Sequence, residues 1–158
     1  MNLNKNIFRE YDIRGIYPSE LNETVAYYVG LAYGTRLKEK GKDTTVLGYD
    51  NRVSSMSLAN YMANGLLDAG VNVKNIGLVT TPMCYFAANY LYVNASMMIT
   101  ASHNPKEYNG FKFSYNGIHN AFGDQVREIY DIIERKDFVD GQGKVIPKDI
   151  RSEYIKLL

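Results

Sequence analysis

Residues 100–105 read Thr-Ala-Ser-His-Asn-Pro, the densest gathering in the chain of groups that can do chemistry. Ser102 offers a hydroxyl nucleophile, His103 an imidazole and Asn104 an amide. They follow directly on residues 95–100 (ASMMIT), a short and nearly continuous apolar run that reads as a buried strand. A hydroxyl placed there would stand at the carboxyl edge of a sheet, with Thr100 at the strand's end and rigid structure behind it. Pro105 restricts Asn104 to extended backbone, so the loop is held. Taken alone, such residues make a turn. Lys112 shifts the reading, because it lies ten residues beyond Ser102 on a run of period two, 111–115 (FKFSY). Phe111 and Phe113 flank it and point to the opposite face. A Lys112 that faces the loop is placed to offset the negative charge of a phosphorylated Ser102 oxygen. Ser102 and His103 by themselves make a poor general-base dyad, since neighbouring side chains in extended backbone point apart.

Two further constellations stand out. Residues 8–16 (FREYDIRGI) read first as an edge strand with alternating charges, although Gly15 after Arg14 suggests a turn where backbone approaches something closely. In residues 48–52 (GYDNR), Asp50 is placed to orient Arg52, while Ser54 and Ser55 behind it can cap the next helix; structural capping explains most of that group. The standard nucleotide cradles are missing, with no G-x-x-x-x-G-K-[ST] loop and no G-x-G-x-x-G after a strand. Neither an H-E-x-x-H helix nor a G-x-S-x-G elbow occurs, and the two His are not spaced as metal ligands.

Positioning these groups falls to alternating helices and strands. Residues 21–39 carry Val25, Tyr28, Val29, Ala32, Tyr33 and Leu37 at helical spacing. A β-rich run at 44–49 breaks at Asp50, and a second helix spans about 56–69, stopped by Gly70. A strand at 73–78 follows, then Thr81 as a cap ahead of Pro82 at the first helical position of a third helix, about 83–91. The strands at 95–100 and 111–115 come next, the latter closed by Asn116-Gly117. A last helix at about 122–135 buries Val126, Ile129, Tyr130, Ile132 and Ile133, and the tail at 140–148 reads as loop. The expectation is a three-layer α/β/α fold with a mostly parallel mixed sheet of about four main strands. Only about ten residues separate the strand after the Ser102 loop from its predecessor, too few for a crossover, so it should run antiparallel. Ligands gather at the carboxyl ends of strands in such sheets, which singles out the loops at 49–55, 79–82 and 100–109.

The 158 residues carry 18 Lys and Arg against 17 Asp and Glu, 46% hydrophobic residues, 13 Gly, one Cys and no Trp. This length can bury a core without disulfide or structural metal. Near-neutral charge argues against a general nucleic-acid or membrane-surface binder. The lone Cys84 excludes an internal disulfide and zinc sites built on Cys pairs. With no apolar run long enough for a signal peptide or a membrane span, a cytoplasmic setting is expected.

Taken in order, the segments resemble the α-D-phosphohexomutase family, the phosphoglucomutases and phosphomannomutases, over nearly the whole chain. TASHNP at 100–105 followed by YNGFK at 108–112 is similar to the family's active-site serine loop and the strand after it. YDIRG at 11–15, GYDNR at 48–52 and Thr81-Pro82 support it. The resemblance implies that Ser102 is a phosphoserine that passes its phosphoryl group to a hexose monophosphate. A bisphosphate intermediate then turns around and returns its other phosphoryl, so phosphate moves between the C1 and C6 positions of the sugar. It implies Mg²⁺ on the phosphoserine oxygen, with a sugar bisphosphate as activator. Lys112 and Arg14 would stabilise charge and bind phosphate, with proton transfer as a second role for Lys112. His103 would orient or act as acid or base, Tyr11 would reach in from the N-terminal segment, and Thr100, Asn104 and Pro105 would shape the loop.

Family members are longer, with four domains. The aspartate-rich loop that supplies further metal ligands, the sugar-recognition loop and a second phosphate-binding loop have no counterpart here. The chain therefore reads as domain 1 over residues 1–150, with 151–158 opening the connection to a second domain. Its partners would be a hexose phosphate and the remaining domains, and by itself it would not turn over efficiently. Two rivals stand beside this reading. One is a non-catalytic sugar-phosphate or partner-binding module that retains the fold; the weaker is a hydrolase using Ser102 and His103.

Overall fold

A segment that is apolar on both faces belongs in the middle of a sheet, and Ser96–Ile99 (β4) is buried at every position. The computed structural model describes residues 2–117 and 119–158. It places β4 between Thr44–Tyr49 (β2), its parallel neighbour, and Tyr108–Asn116 (β5), its antiparallel one. Beyond β2 come Asn72–Leu78 (β3) and then Val145–Pro147 (β7), each parallel to the last; beyond β5 lies Ile13–Ile16 (β1), antiparallel to it. The order is β1-β5-β4-β2-β3-β7, and the two-residue His119–Asn120 (β6) also pairs antiparallel with β5. Every strand but β5 thus points the same way. The reversal of β5 follows the expectation from its short connection to β4.

Helices cover both faces. Glu23–Glu39 (α1), Ser55–Asp68 (α2) and Asp124–Arg135 (α4) pack on one side, against Leu47, Met97, Ile99, Phe111, Phe113 and Tyr115. Thr81–Tyr90 (α3) lies on the other, over Val46, Ile76, Val79 and Met98; Arg151–Lys156 (α5) touches it through Tyr154, which meets Phe86 edge-on. The alternation Val46/Leu47 and Met98/Met97 between the two cores is the period-two geometry of strands buried on both faces. Among the described residues no helix is long and apolar enough to cross a membrane.

Several expected details change. The sheet has seven strands where about four were expected. Of the three beyond the main four, β1 is the edge strand read in residues 8–16, confined to its last four residues, while β6 and β7, of two and three residues, are too short to show a period. The tail read as loop contains β7, an exposed edge strand held by Val73 N–H to Lys144 O and Lys148 N–H to Asn75 O. Ser54 precedes α2 in helical backbone geometry with no side-chain cap bond, because its hydroxyl is taken by Asn109. The cap of α3 is Thr80, whose hydroxyl accepts from Met83 N–H, and Pro82 is therefore the second helical residue. Gly15 sits within β1 and makes no turn; a Cβ there would lie 2.9 Å from Ile7 Cγ2.

Two interior contacts fix the frame. Tyr33 of α1 is fully buried; its hydroxyl donates to the carbonyl of Ser114 at 2.7 Å and lies 3.1 Å from that of Ser96, tying helix to sheet. Helices α1 and α2 touch backbone to backbone, since a Cβ on Gly30 would strike the carbonyl oxygen of Met62 and one on Gly65 that of Tyr27. Gly65→Ala, which in an exposed helix would be favourable, is expected here to destabilise the fold by ~1–3 kcal/mol through overpacking, as read by chemical denaturation. Burial also pushes the Cys84 thiol up to about 12. Thiol reagents at neutral pH should therefore leave the native chain unlabelled and label it once in denaturant, as followed by mass.

Candidate active site

The loop between β4 and β5 is two consecutive tight turns. Asn104 N–H donates to Ala101 O at 3.1 Å and Tyr108 N–H to Pro105 O at 3.0 Å. Thr100 Oγ1 accepts from Ser102 N–H at 3.0 Å, which locks the step into the first turn. Ser102 sits at its tip with φ of 55°, a left-handed backbone that costs a non-glycine residue ~1–2 kcal/mol. Its exposed side chain stands next to an exposed His103, which makes no hydrogen bond among the described residues. The adjoining loops belong to the same edge, because Asp50 N–H donates to Ile99 O and Val79 N–H to Tyr49 O, carrying the parallel register past the strand ends.

Arg52 holds this loop from the β2–α2 side. One terminal nitrogen donates to Pro105 O at 2.8 Å and Tyr108 O at 3.0 Å; the other donates to Asn104 O at 2.8 Å and Ser102 O at 3.0 Å. Its Nε lies 3.5 Å from Asp50 Oδ2. Asp50 is fixed in turn by the hydroxyl of Ser55 at 2.5 Å. The wholly buried Asn109 donates to the hydroxyls of Ser54 and Ser55 at 2.8 and 3.0 Å. Sequence reasoning assigned the GYDNR segment mainly to capping and passed over Asn109. The available signal was position, as a charged pair directly after a buried strand faces the next strand's loop.

From the other side, β1 brings Arg14. Its guanidinium donates to Asn104 Oδ1 and pairs with the buried Asp12. Gly110 permits this approach, since a Cβ there would lie 2.6 Å from Ile13 O and 3.0 Å from Thr100 O. The far end of the loop is tied by Tyr17 N–H to Glu107 O at 2.8 Å. The Tyr17 hydroxyl and that of Ser57 both donate to Glu23 at 2.7 Å. Burial alone would raise the Glu23 carboxyl, but these bonds outweigh it and hold the group below its usual range.

Of the residues singled out in sequence, Thr100, Ser102, Asn104, Pro105 and Arg14 meet in one network. Lys112 pairs with Met98 two rungs below the Thr100–Gly110 level, roughly 7 Å along the strand, half-buried on the α3 face opposite Phe111 and Phe113. It has no hydrogen bond or ion pair among the described residues, so its ammonium is uncommitted. Tyr11 is 66% exposed and makes no hydrogen bond to the loop among the described residues. The loop at 79–82 likewise makes no side-chain hydrogen bond to it among the described residues, and its Thr80 hydroxyl caps α3.

A resident Mg²⁺ does not fit this chain alone. Ser102 contributes a single oxygen, Asp50 is committed to Arg52 and Ser55, and Asp12 to Arg14. Among the described residues no three His, Cys, Asp or Glu are grouped to hold a metal.

A family profile described as phosphoglucomutase/phosphomannomutase, alpha/beta/alpha domain I, matches residues 5–140. The chain is 43% identical over 154 residues to a phosphoglucomutase of Neisseria gonorrhoeae, covering 96% of this chain and 33% of that protein. To a phosphomannomutase/phosphoglucomutase of Pseudomonas aeruginosa it is 38% identical over 151 residues, covering 96% and 32%. Among solved structures, a phosphoglucomutase/phosphomannomutase family protein from Burkholderia thailandensis matches with a TM-score of 0.93 and 35% identity, over 98% of this chain and 35% of its own. The chain spans about a third of the length of the curated relatives it matches.

The Arg14–Asp12 pair yields a stability test. Arg14→Gln strands a carboxylate that is 5% exposed and should cost near the low end of ~3–5 kcal/mol by denaturant titration. Adding Asp12→Asn should restore much of that loss, and a double variant no better than the single would refute the pairing.

Proposed function

Because the chain belongs to the phosphoglucomutase/phosphomannomutase family through its α/β/α domain I, we propose that it carries the phosphoryl-bearing serine of a hexose-phosphate mutase. In the first half-reaction the Ser102 Oγ–phosphorus bond breaks as a sugar hydroxyl forms its own bond to phosphorus and gives up its proton to a neighbouring base, and the departing Ser102 Oγ takes up a proton to become the free hydroxyl. The resulting hexose bisphosphate reorients, and its other phosphoryl group returns to Ser102, leaving the isomeric monophosphate. A fixed covalent carrier replaces one awkward intramolecular shift by two in-line transfers at a single centre.

The observation that carries this reading is the placement of Ser102. It is exposed at the tip of a loop whose main-chain carbonyls are held by Arg52 and whose Asn104 side chain is held by Arg14, and its left-handed backbone is one that a mere turn would fill with glycine. The chemistry is electrostatic positioning. Lys112, with its uncommitted ammonium on the same sheet face as the loop's root, would offset charge on the transferring group or shuttle a proton. Arg14 would face the substrate phosphate; His103, without a hydrogen bond among the described residues, would orient or exchange a proton with the sugar hydroxyl. Tyr11 would close on the substrate only when one is bound. A sugar bisphosphate would restore the phosphoserine whenever an intermediate escapes. Mg²⁺ would need ligands from outside these residues, and no step here is routed through it. Sugar recognition falls in the same way to regions corresponding to the other two-thirds of the relatives, so the chain alone should be a poor catalyst. A cytoplasmic setting suits a phosphorylated-sugar substrate and a single buried thiol.

The test uses the full-length protein that contains these residues, incubated with glucose 1,6-bisphosphate and assayed on glucose 1-phosphate and mannose 1-phosphate. Intact mass should rise by one phosphoryl group, lost in Ser102→Ala together with several orders of magnitude in kcat. Undiminished turnover by Ser102→Ala would sink the assignment. A ligand bound tightly by the 158-residue chain alone, with no phosphoryl transfer in the full-length protein, would favour the binding-module reading.

A further inference from the structure

The Arg52 guanidinium is engaged on every side inside the protein: one terminal nitrogen donates to the Pro105 and Tyr108 carbonyls, the other to those of Asn104 and Ser102, and Nε is ion-paired with Asp50 at 3.5 Å. The side chain is only 14% exposed. An arginine with nothing left to offer a ligand is a tool for shaping chain. The consequence follows from peptide geometry. In a trans peptide the carbonyl of one residue and the N–H of the next point in opposite directions. Drawing the Ser102 and Pro105 carbonyls down onto the guanidinium therefore turns the N–H groups of His103 and Lys106 away from it. Neither of these amides donates to a protein acceptor among the described residues. The left-handed Ser102 supplies the turn conformation in which successive amides form an anion-binding concavity.

Resting on the phosphoserine reading, we propose that Arg52 is the positioning residue of the catalytic loop. It fixes the direction of the Ser102 side chain and presents the main-chain amides of His103 and Lys106 to the phosphoryl group that Ser102 carries. Asp50, braced by Ser55, sets the rotation of the guanidinium so that both terminal nitrogens straddle the loop. Lysine cannot replace it, because three donors on one nitrogen cannot span carbonyls contributed by four residues.

The experiment compares Arg52→Lys and Arg52→Gln with the wild type in the full-length protein, with Ser102→Ala as the control on the chemistry. Both Arg52 variants should lower kcat by ~10²-fold while KM stays within about threefold, as expected when a reacting group is misplaced and the substrate contacts survive. Amide hydrogen exchange across residues 101–108 should accelerate by roughly tenfold or more, with protection in β2 and β4 unchanged. In wild type, the Lys106 amide resonance, four residues from Ser102, should shift on phosphorylation of Ser102, and in the variants it should not. Restoration of kcat by Arg52→Lys would overturn the role of the planar fork. Wild-type exchange in Arg52→Gln would overturn the positioning role altogether. Arg52→Lys retains charge and stem, so it carries the test if the glutamine variant fails to fold. Activity surviving Ser102→Ala would remove the phosphoserine reading instead, and the exchange data would still judge whether Arg52 sets the loop.

Discussion

A tight loop that folds back on itself turns carbonyl oxygens inward, and each one shut away from water without a donor costs free energy comparable to a lost hydrogen bond. Between β4 and β5 this need is met by one side chain, the guanidinium of Arg52, reaching across from the preceding β–α connection. Much of the surrounding polar structure follows from it. Asp50 must be oriented to pair with the cation, Ser55 and Ser54 must hold Asp50 and Asn109, and Asn109 must be buried to reach them. The hydroxyls ahead of α2 are consequently spent on the site, and that helix starts without a side-chain cap.

The reversal of β5 does the rest of the positioning. By returning alongside β4, it keeps the Ser102 loop short and offers its other edge to β1, which arrives with Arg14 in register opposite Gly110. The approach is close enough that only glycine fits at that rung. Lys112 is delivered by the same strand two positions later, on the α3 face and opposite the aromatic pair that anchors the main core.

The parts of this arrangement that were legible in sequence are those with a repeating pattern or a local signature. The β2 bounds, the antiparallel β5, the helix α1 and the amphipathic α4 came from apolar spacing and connection length, although α1 proves buried nearly all round, from Val29 through Thr35 without a break. The loop hydroxyl came from its place after a buried run. What escaped were features set by partners distant in sequence. Arg52 looked like a turn residue because its acceptors lie fifty or more positions away. Ser54 looked like a cap because Asn109 was invisible beside it. Strand β7 looked like loop because an exposed edge strand of three residues needs no alternation and takes its identity from β3. Thr81 was read as the cap of α3, one residue too late, because the side chain that accepts the Met83 N–H is that of the preceding Thr80.

The glycine contact between α1 and α2 has a mechanical meaning for the loop. Glu23 at the start of α1 steadies the Tyr17 segment that grips Glu107, while α2 grows directly out of the residues that hold Arg52. Both clamps on the Ser102 hairpin are thus bolted to one stiff chassis, for two helices in main-chain contact have no side-chain cushion through which to slip. Thermal motion that tilts the pair carries both ends of the loop together, so the serine rides as a passenger of the frame and its aim is preserved while the whole body moves.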